Sequence, residues 1–170
     1  MSLLVTGGRG LVGSAIEAEF KPTRDELDLM NLDAIVEYLS DNHVTQIIHC
    51  AAKVGGIFSN QKFKAEFIYE NLMIQTNLIN AAFKNGIKNL IFLGSSCIYP
   101  KLSKQPIKES YLLNGKLEET NDAYAVAKIA GIKMCESYNE QYGTNYKCIM
   151  PTNTYGPNDN YNKMNSHFFP

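Results

Sequence analysis

Leu3-Leu4-Val5-Thr6-Gly7-Gly8-Arg9-Gly10-Leu11-Val12-Gly13 decides the fold. A short apolar run meets closely spaced glycines and then enters an apolar stretch at helical spacing, the pattern of strand, tight turn and helix. Gly7, Gly10 and Gly13 carry no side chains, so peptide N–H groups at the helix start can approach a diphosphate closely. Outward from this stretch, short apolar runs alternate with longer amphipathic ones, which predicts β–α units around a parallel sheet. The spacing predicts strands over 3–6, 46–52, 89–94 and 146–150. It predicts helices over 11–20, 31–40, 67–84 and 122–142, with Pro22, Asn85-Gly86, Gly143 and Pro151 as stops.

The fold class is therefore α/β, a Rossmann-like doubly wound parallel sheet, with one element missing. Such a unit places a second strand directly after its first helix, and that strand's end holds the adenosine ribose. Here only Lys21-Pro22-Thr23 separates Phe20 from Arg24, so the strand reads as deleted or reduced to an extended stub.

Composition narrows the function classes. The 170 residues are 45% hydrophobic and 19% charged, which suits one globular domain with a sizeable core. That length is too short for a full cofactor domain plus a full substrate domain. A net charge of -1 gives no footprint for nucleic acid or an anionic membrane surface. No apolar run approaches the ~20 residues of a membrane span, and the start lacks the basic region of a signal peptide. Cys50, Cys97, Cys135 and Cys148 are scattered, so neither a disulfide framework nor a metal site is expected, and a reducing cytoplasm is the default.

Two further constellations carry chemistry. Of the sixteen basic residues only Arg9 and Arg24 are arginines. Arg9 sits in the glycine turn and Arg24 follows the place of the missing strand, where guanidinium groups would favour the 2′-phosphate of NADP. Either one alone could equally be a solvated surface charge. Tyr124-x-x-x-Lys128 puts a phenol and an ammonium on one helix face. Leu93-Gly94-Ser95-Ser96, at a strand end, points at the same crevice. A lysine lowers a phenol's pKa, the tyrosine passes a proton to a carbonyl, and a serine hydroxyl orients that oxygen.

Ala51-Ala52-Lys53-Val54-Gly55-Gly56-Ile57, Phe92-Leu93-Gly94-Ser95-Ser96-Cys97-Ile98-Tyr99-Pro100, Tyr124-Ala125-Val126-Ala127-Lys128-Ile129-Ala130-Gly131 and Met150-Pro151-Thr152-Asn153-Thr154-Tyr155-Gly156-Pro157-Asn158-Asp159-Asn160 are longer and more specific. On these segments the chain resembles the GDP-L-fucose synthase family, GDP-4-keto-6-deoxymannose epimerase/reductases of the extended short-chain dehydrogenase/reductase superfamily. The resemblance implies that residues 1–170 are an NADP-binding domain truncated at its C-terminus. It further implies NADP-dependent 3,5-epimerisation and 4-reduction of GDP-4-keto-6-deoxy-D-mannose to GDP-L-fucose.

By the same resemblance Tyr124 is the general acid, Lys128 its pKa tuner and a ribose ligand, and Ser95 the carbonyl-orienting hydroxyl. Cys97 and His167 become the acid/base pair for epimerisation. NADP(H) would be lined by Gly7, Gly8, Arg9, Gly10, Leu11, Val12, Gly13, Arg24, Leu93, Gly94, Ser95, Ser96, Lys128, Pro151, Thr152, Asn153, Thr154 and His167. The 51–56 segment would pass close to the nicotinamide half. A homodimer through the helix that carries Met73 and Ile74 is implied as well, although core packing explains those two residues equally. Without the resemblance, Cys97 reads as a small buried hydrophobe and His167 as a surface residue. His43 and His49 receive no role. Two other functions compete: a truncated relative serving as a non-enzymatic binding or structural protein, and a different sugar-nucleotide epimerase or dehydratase.

Overall fold

The computed structural model describes residues 2–159. Four strands, β1 (Leu3–Thr6), β2 (Gln46–His49), β3 (Asn89–Leu93) and β4 (Asn145–Ile149), form one parallel sheet in the order β1-β2-β3-β4. The helices among the described residues are α1 (Leu11–Ser14), α2 (Leu32–Asp41), α3 (Ile57–Lys62), α4 (Lys64–Lys84) and α5 (Asp122–Tyr142), with short 3₁₀ turns at Ser96–Ile98 and Glu109–Tyr111.

Strand register builds the core. Leu4, Ile47, Leu90 and Tyr146 stand side by side across the sheet, and Thr6, His49, Phe92 and Cys148 form the next row on the same face. Side chains alternate along a strand, so one face collects these residues, and the core fills between them and the long helices. Ile35 and Leu39 of α2, Leu78 and Ile79 of α4, and Ile129 and Ile132 of α5 all join that core, which places these three helices on one face, as right-handed crossovers would. Asn31 caps α2 through its side chain to the Ala34 N–H at 3.1 Å. Gly143, in the left-handed region at φ +64°, ends α5.

The second strand survives as a stub of one residue. Phe20 forms an isolated parallel bridge with Leu4, its N–H reaching the Leu3 carbonyl at 3.1 Å and its carbonyl accepting from the Val5 N–H at 2.9 Å. The helix predicted over 11–20 accordingly ends at Ser14. A ten-residue helix would carry the chain ~15 Å away and leave nothing to bring it back to β1 before Pro22. Lys21 completes the shortcut by donating from Nζ to the Ser14 carbonyl at 3.3 Å.

Other boundaries differ from expectation, α4 beginning at Lys64 rather than at residue 67 among them. The strand predicted over 46–52 stops at His49, because β1 pairs only as far as Thr6 and residues beyond it turn toward Gly7. A helix over 57–62 was not anticipated; Asn60 supports its start by donating to the Gly55 and Gly56 carbonyls at 2.6 and 3.1 Å.

Gly131 lets α5 lie flat on the sheet: a Cβ there would sit 2.5 Å from Phe92 Cζ and 3.0 Å from Gln75 Cδ. In Gly131→Ala, the helix-propensity gain of ~1 kcal/mol opposes an overpacking cost of about 1–3 kcal/mol. The outcome expected is a lower urea midpoint, and a midpoint at or above that of the parent chain would show that this contact is soft.

Candidate active site

A cleft of about 1020 Å³ opens past the carboxyl ends of β1, β2 and β3, where open α/β sheets place their ligands. Its floor at one end is the glycine turn. Gly7 is in the left-handed region at φ +68°, and a Cβ on it would lie 2.8 Å from the Ala51 amide nitrogen. A Cβ on Gly13 would collide with the Gly7 carbonyl oxygen. The turn closes through Gly10 N–H to Gly7 O at 2.9 Å. With only four residues α1 contributes little dipole, so attraction for an anion falls to first-turn N–H groups and nearby cations.

Those cations are Arg9 and Arg24, both exposed and both lining this end of the cleft. Neither makes an ion pair among the described residues. Arg24 sits inside a reciprocal cap: Thr23 N–H donates to Glu26 Oε2 at 2.7 Å, and Glu26 N–H donates to Thr23 Oγ1 at 3.3 Å. The T-x-x-E spacing of residues 23–26 is the sequence signal of this cap.

The other end holds the reactive side chains. Lys128 is 2% exposed, and its Nζ donates to the Leu93 carbonyl at 2.7 Å. The ammonium lies 4.7 Å from the Phe92 ring centroid and 5.7 Å from that of Tyr124. Burial pushes Lys128 down to about 8. Burial also holds the Tyr124 phenol above its ordinary range, with the Cys97 thiol adding to the effect. In this arrangement the Lys128 ammonium is engaged with the Leu93 carbonyl. Cys97 is the middle residue of the 3₁₀ turn after Ser95, with its Sγ 3.2 Å from Ser95 Oγ. Burial raises this thiol more than the serine hydroxyl lowers it, so Cys97 stays protonated at neutral pH.

The cleft brings together Gly7 to Gly13, Arg24, Leu93 to Cys97, Tyr124, Lys128 and Pro151 to Thr154. His167 lies outside the described residues. The fold thus assembles the described candidates from five sequence regions.

The profile of the NAD-dependent epimerase/dehydratase family matches residues 3–170. The chain belongs to that family. Within the NAD-dependent epimerase/dehydratase family it is 51% identical, over 177 residues and 99% of its length, to a GDP-L-fucose synthase of Escherichia coli K12, covering 55% of that protein. It is 41% identical over its whole length to a GDP-L-colitose synthase of Yersinia pseudotuberculosis, covering 58% of it. A GDP-D-glycero-L-gluco-heptose synthase from Campylobacter jejuni, crystallised in the presence of NADPH, superposes with a TM-score of 0.93 at 37% identity. That match covers 99% of this chain and 52% of the other. The chain spans about half the length of the curated relatives it matches. A match of 177 positions to a chain of 170 also opens a gap in this chain.

Several wall residues of this family member escaped sequence reasoning. Leu29 and Met30 are held there by Asn77, whose Nδ2 donates to both carbonyls at 3.1 Å. Asn71 pins Lys53 by accepting from its N–H at 2.9 Å and donating to its carbonyl at 3.0 Å. Both asparagines are buried on α4, which makes this helix the spine of the cleft wall. Ile74 faces the cleft as well. Asn71 and Asn77 lie six residues apart on α4, and no local spacing in the sequence marks them out.

Proposed function

We propose that this chain is the cofactor-binding and catalytic half of an NADP-dependent GDP-sugar epimerase/reductase, acting on GDP-4-keto-6-deoxy-D-mannose to give GDP-L-fucose. The observation that carries the proposal is a single cleft with Ser95, Cys97, Tyr124 and Lys128 at one end and Arg9 and Arg24 at the other. The two arginines suit the 2′-phosphate, and the glycine turn leaves the space that a diphosphate needs beside peptide N–H groups. NADPH, when bound, supplies a hydride for the sugar's C4.

The chain's own residues do the rest. Ser95 donates a hydrogen bond that orients the C4 carbonyl oxygen, and Tyr124 delivers the proton that this oxygen takes up on reduction. Lys128 leaves Leu93 for the cofactor ribose and the phenol, where its charge lowers the phenol's pKa. Carbons flanking a carbonyl have acidic C–H bonds, so epimerisation needs a base on one face and an acid on the other. Cys97, held as a thiol by burial, is suited to give a proton, and His167 is its partner in the same scheme. The sugar and its GDP moiety, a homodimer paired through α4, and a cytoplasmic location belong to the same proposal. No helix among the described residues is long and apolar enough to cross a membrane.

Fluorescence titration with NADPH and NADH tests the reading. Saturable binding is expected in the micromolar range, with NADPH tighter by at least about tenfold, the worth of one or two charge-assisted hydrogen bonds. Arg24→Ala should lose most of that preference while leaving NADH unaffected. No saturable binding of either nucleotide would overturn the proposal in favour of a structural or interaction role, for which the shortened α1 is the physical argument.

A further inference from the structure

Further along α5 from the cleft, a second cavity of about 320 Å³ is lined by Cys135, Cys148, Asn139, Tyr146 and Met150, among others. Asn139 fixes how helix and strand align there. Its Nδ2 donates to the Tyr146 carbonyl at 2.8 Å, and its Oδ1 accepts from the Tyr146 N–H at 2.8 Å. Gly143 reverses the chain between the two elements, so they run antiparallel. Cys135 lies four residues back along α5 from Asn139, a rise of ~6 Å. Cys148 lies two residues on from Tyr146, ~6.6 Å along β4 in the same direction and on the same sheet face. The clamp therefore sets the two thiols at the same level of helix and strand, where both line the one cavity. Both are free thiols; Cys135 is buried and Cys148 half-buried at the cavity.

We propose that Cys135 and Cys148 form a dithiol that peroxide converts to a disulfide tying α5 to β4. Cys148, as a thiolate, attacks one peroxide oxygen; the O–O bond breaks and the departing hydroxide takes up the proton that Cys148 released. Cys148 is then a sulfenic acid. The Cys135 sulfur attacks the Cys148 sulfur, the S–O bond breaks, and the second hydroxide leaves as water with the Cys135 proton. Two thiols are oxidised by two electrons and one peroxide is reduced to two waters. Of the four cysteines Cys148 is the one whose thiol is pushed down, by the neighbouring Cys135 thiol, whereas burial raises Cys97 and carries Cys50 up to about 11. β4 leads directly into Pro151 to Thr154, so the bond would restrain the strand that feeds the cleft wall. This inference does not rest on the proposed enzymatic activity.

The test treats the full chain with hydrogen peroxide, blocks remaining thiols with iodoacetamide, digests with trypsin and reads masses without reduction. The expected result is a linked pair of peptides, 134–147 and 148–163, released by dithiothreitol, with Cys50 and Cys97 still alkylated. Cys148→Ser, at a half-buried site, should keep its circular dichroism and give no linked pair. Cys135→Ala should leave Cys148 as a sulfenic acid that dimedone traps. Recovery of Cys135 and Cys148 both alkylated after peroxide, or of Cys148 as a sulfinic acid without a link, would overturn the proposal.

Discussion

Tyr124→Phe should lower the rate of NADPH oxidation with the GDP-4-keto sugar by about 10²- to 10⁴-fold, the usual worth of a positioned general acid. NADPH affinity should stay within about threefold. The ring remains, Lys128 keeps its place 5.7 Å from that ring's centroid, and only the hydroxyl is lost. The phenol is held above its ordinary range by burial, so in the free chain it is fully protonated at neutral pH, the form an acid needs. Stopped-flow absorbance at saturating NADPH separates the two effects. A variant as fast as the parent would show that the proton comes from elsewhere, whereas loss of cofactor binding would show that the hydroxyl matters to packing instead.

Lowering the pH from 7 to 4.5 should cost about 2–3 kcal/mol of stability through His49 alone. Thr6 Oγ1 accepts from the Ala51 N–H at 3.3 Å and shares a hydrogen bond with His49 Nδ1 at 2.7 Å. The ring is 1% exposed, and burial, helped by the Lys128 charge, brings its pKa down to about 3. The unfolded chain takes up a proton near pH 6.5 that the folded chain refuses until about pH 3. The stabilisation is therefore complete above pH 6.5 and is lost as the pH falls through that window. Lys128 has the same sign in a higher window, between 10.5 and about 8, so its contribution is already gone at neutral pH. Urea titrations of the parent and of His49→Gln check the point. The variant should be less stable at pH 7.5 but lose less between pH 7.5 and 4.5. Equal losses would show that His49 is protonated without penalty.

The sequence made α5 legible to the residue, because its periodicity is uninterrupted and Gly143 is the only residue there free to take the left-handed turn that stops it. The described members of the cleft were legible for a related reason: glycines, a strand-end serine pair and a Tyr-Lys spacing are local patterns with local chemistry. What escaped is what depends on the rest of the fold. Leu11, Val12, Ile16 and Phe20 have helical spacing, yet the helix stops at Ser14 because Phe20 must reach β1. His49 looked like an unassigned strand residue; only the register that sets Thr6 beside it and Phe92 across from it makes it a neutral, buried base. Asn71 and Asn77 are read as polar helix residues until the loops they hold are known.

Strand order has a consequence for biosynthesis. A sheet that winds outward in both directions from a central strand must hold one edge open while the chain returns to build the other. Here each new strand pairs with the one made just before it, in the order β1, β2, β3, β4, and the single Phe20 bridge is complete before β2 exists. The nascent chain leaving the ribosome can therefore add strands at one growing edge, always beside a partner already synthesised, with the waiting surface limited to that edge.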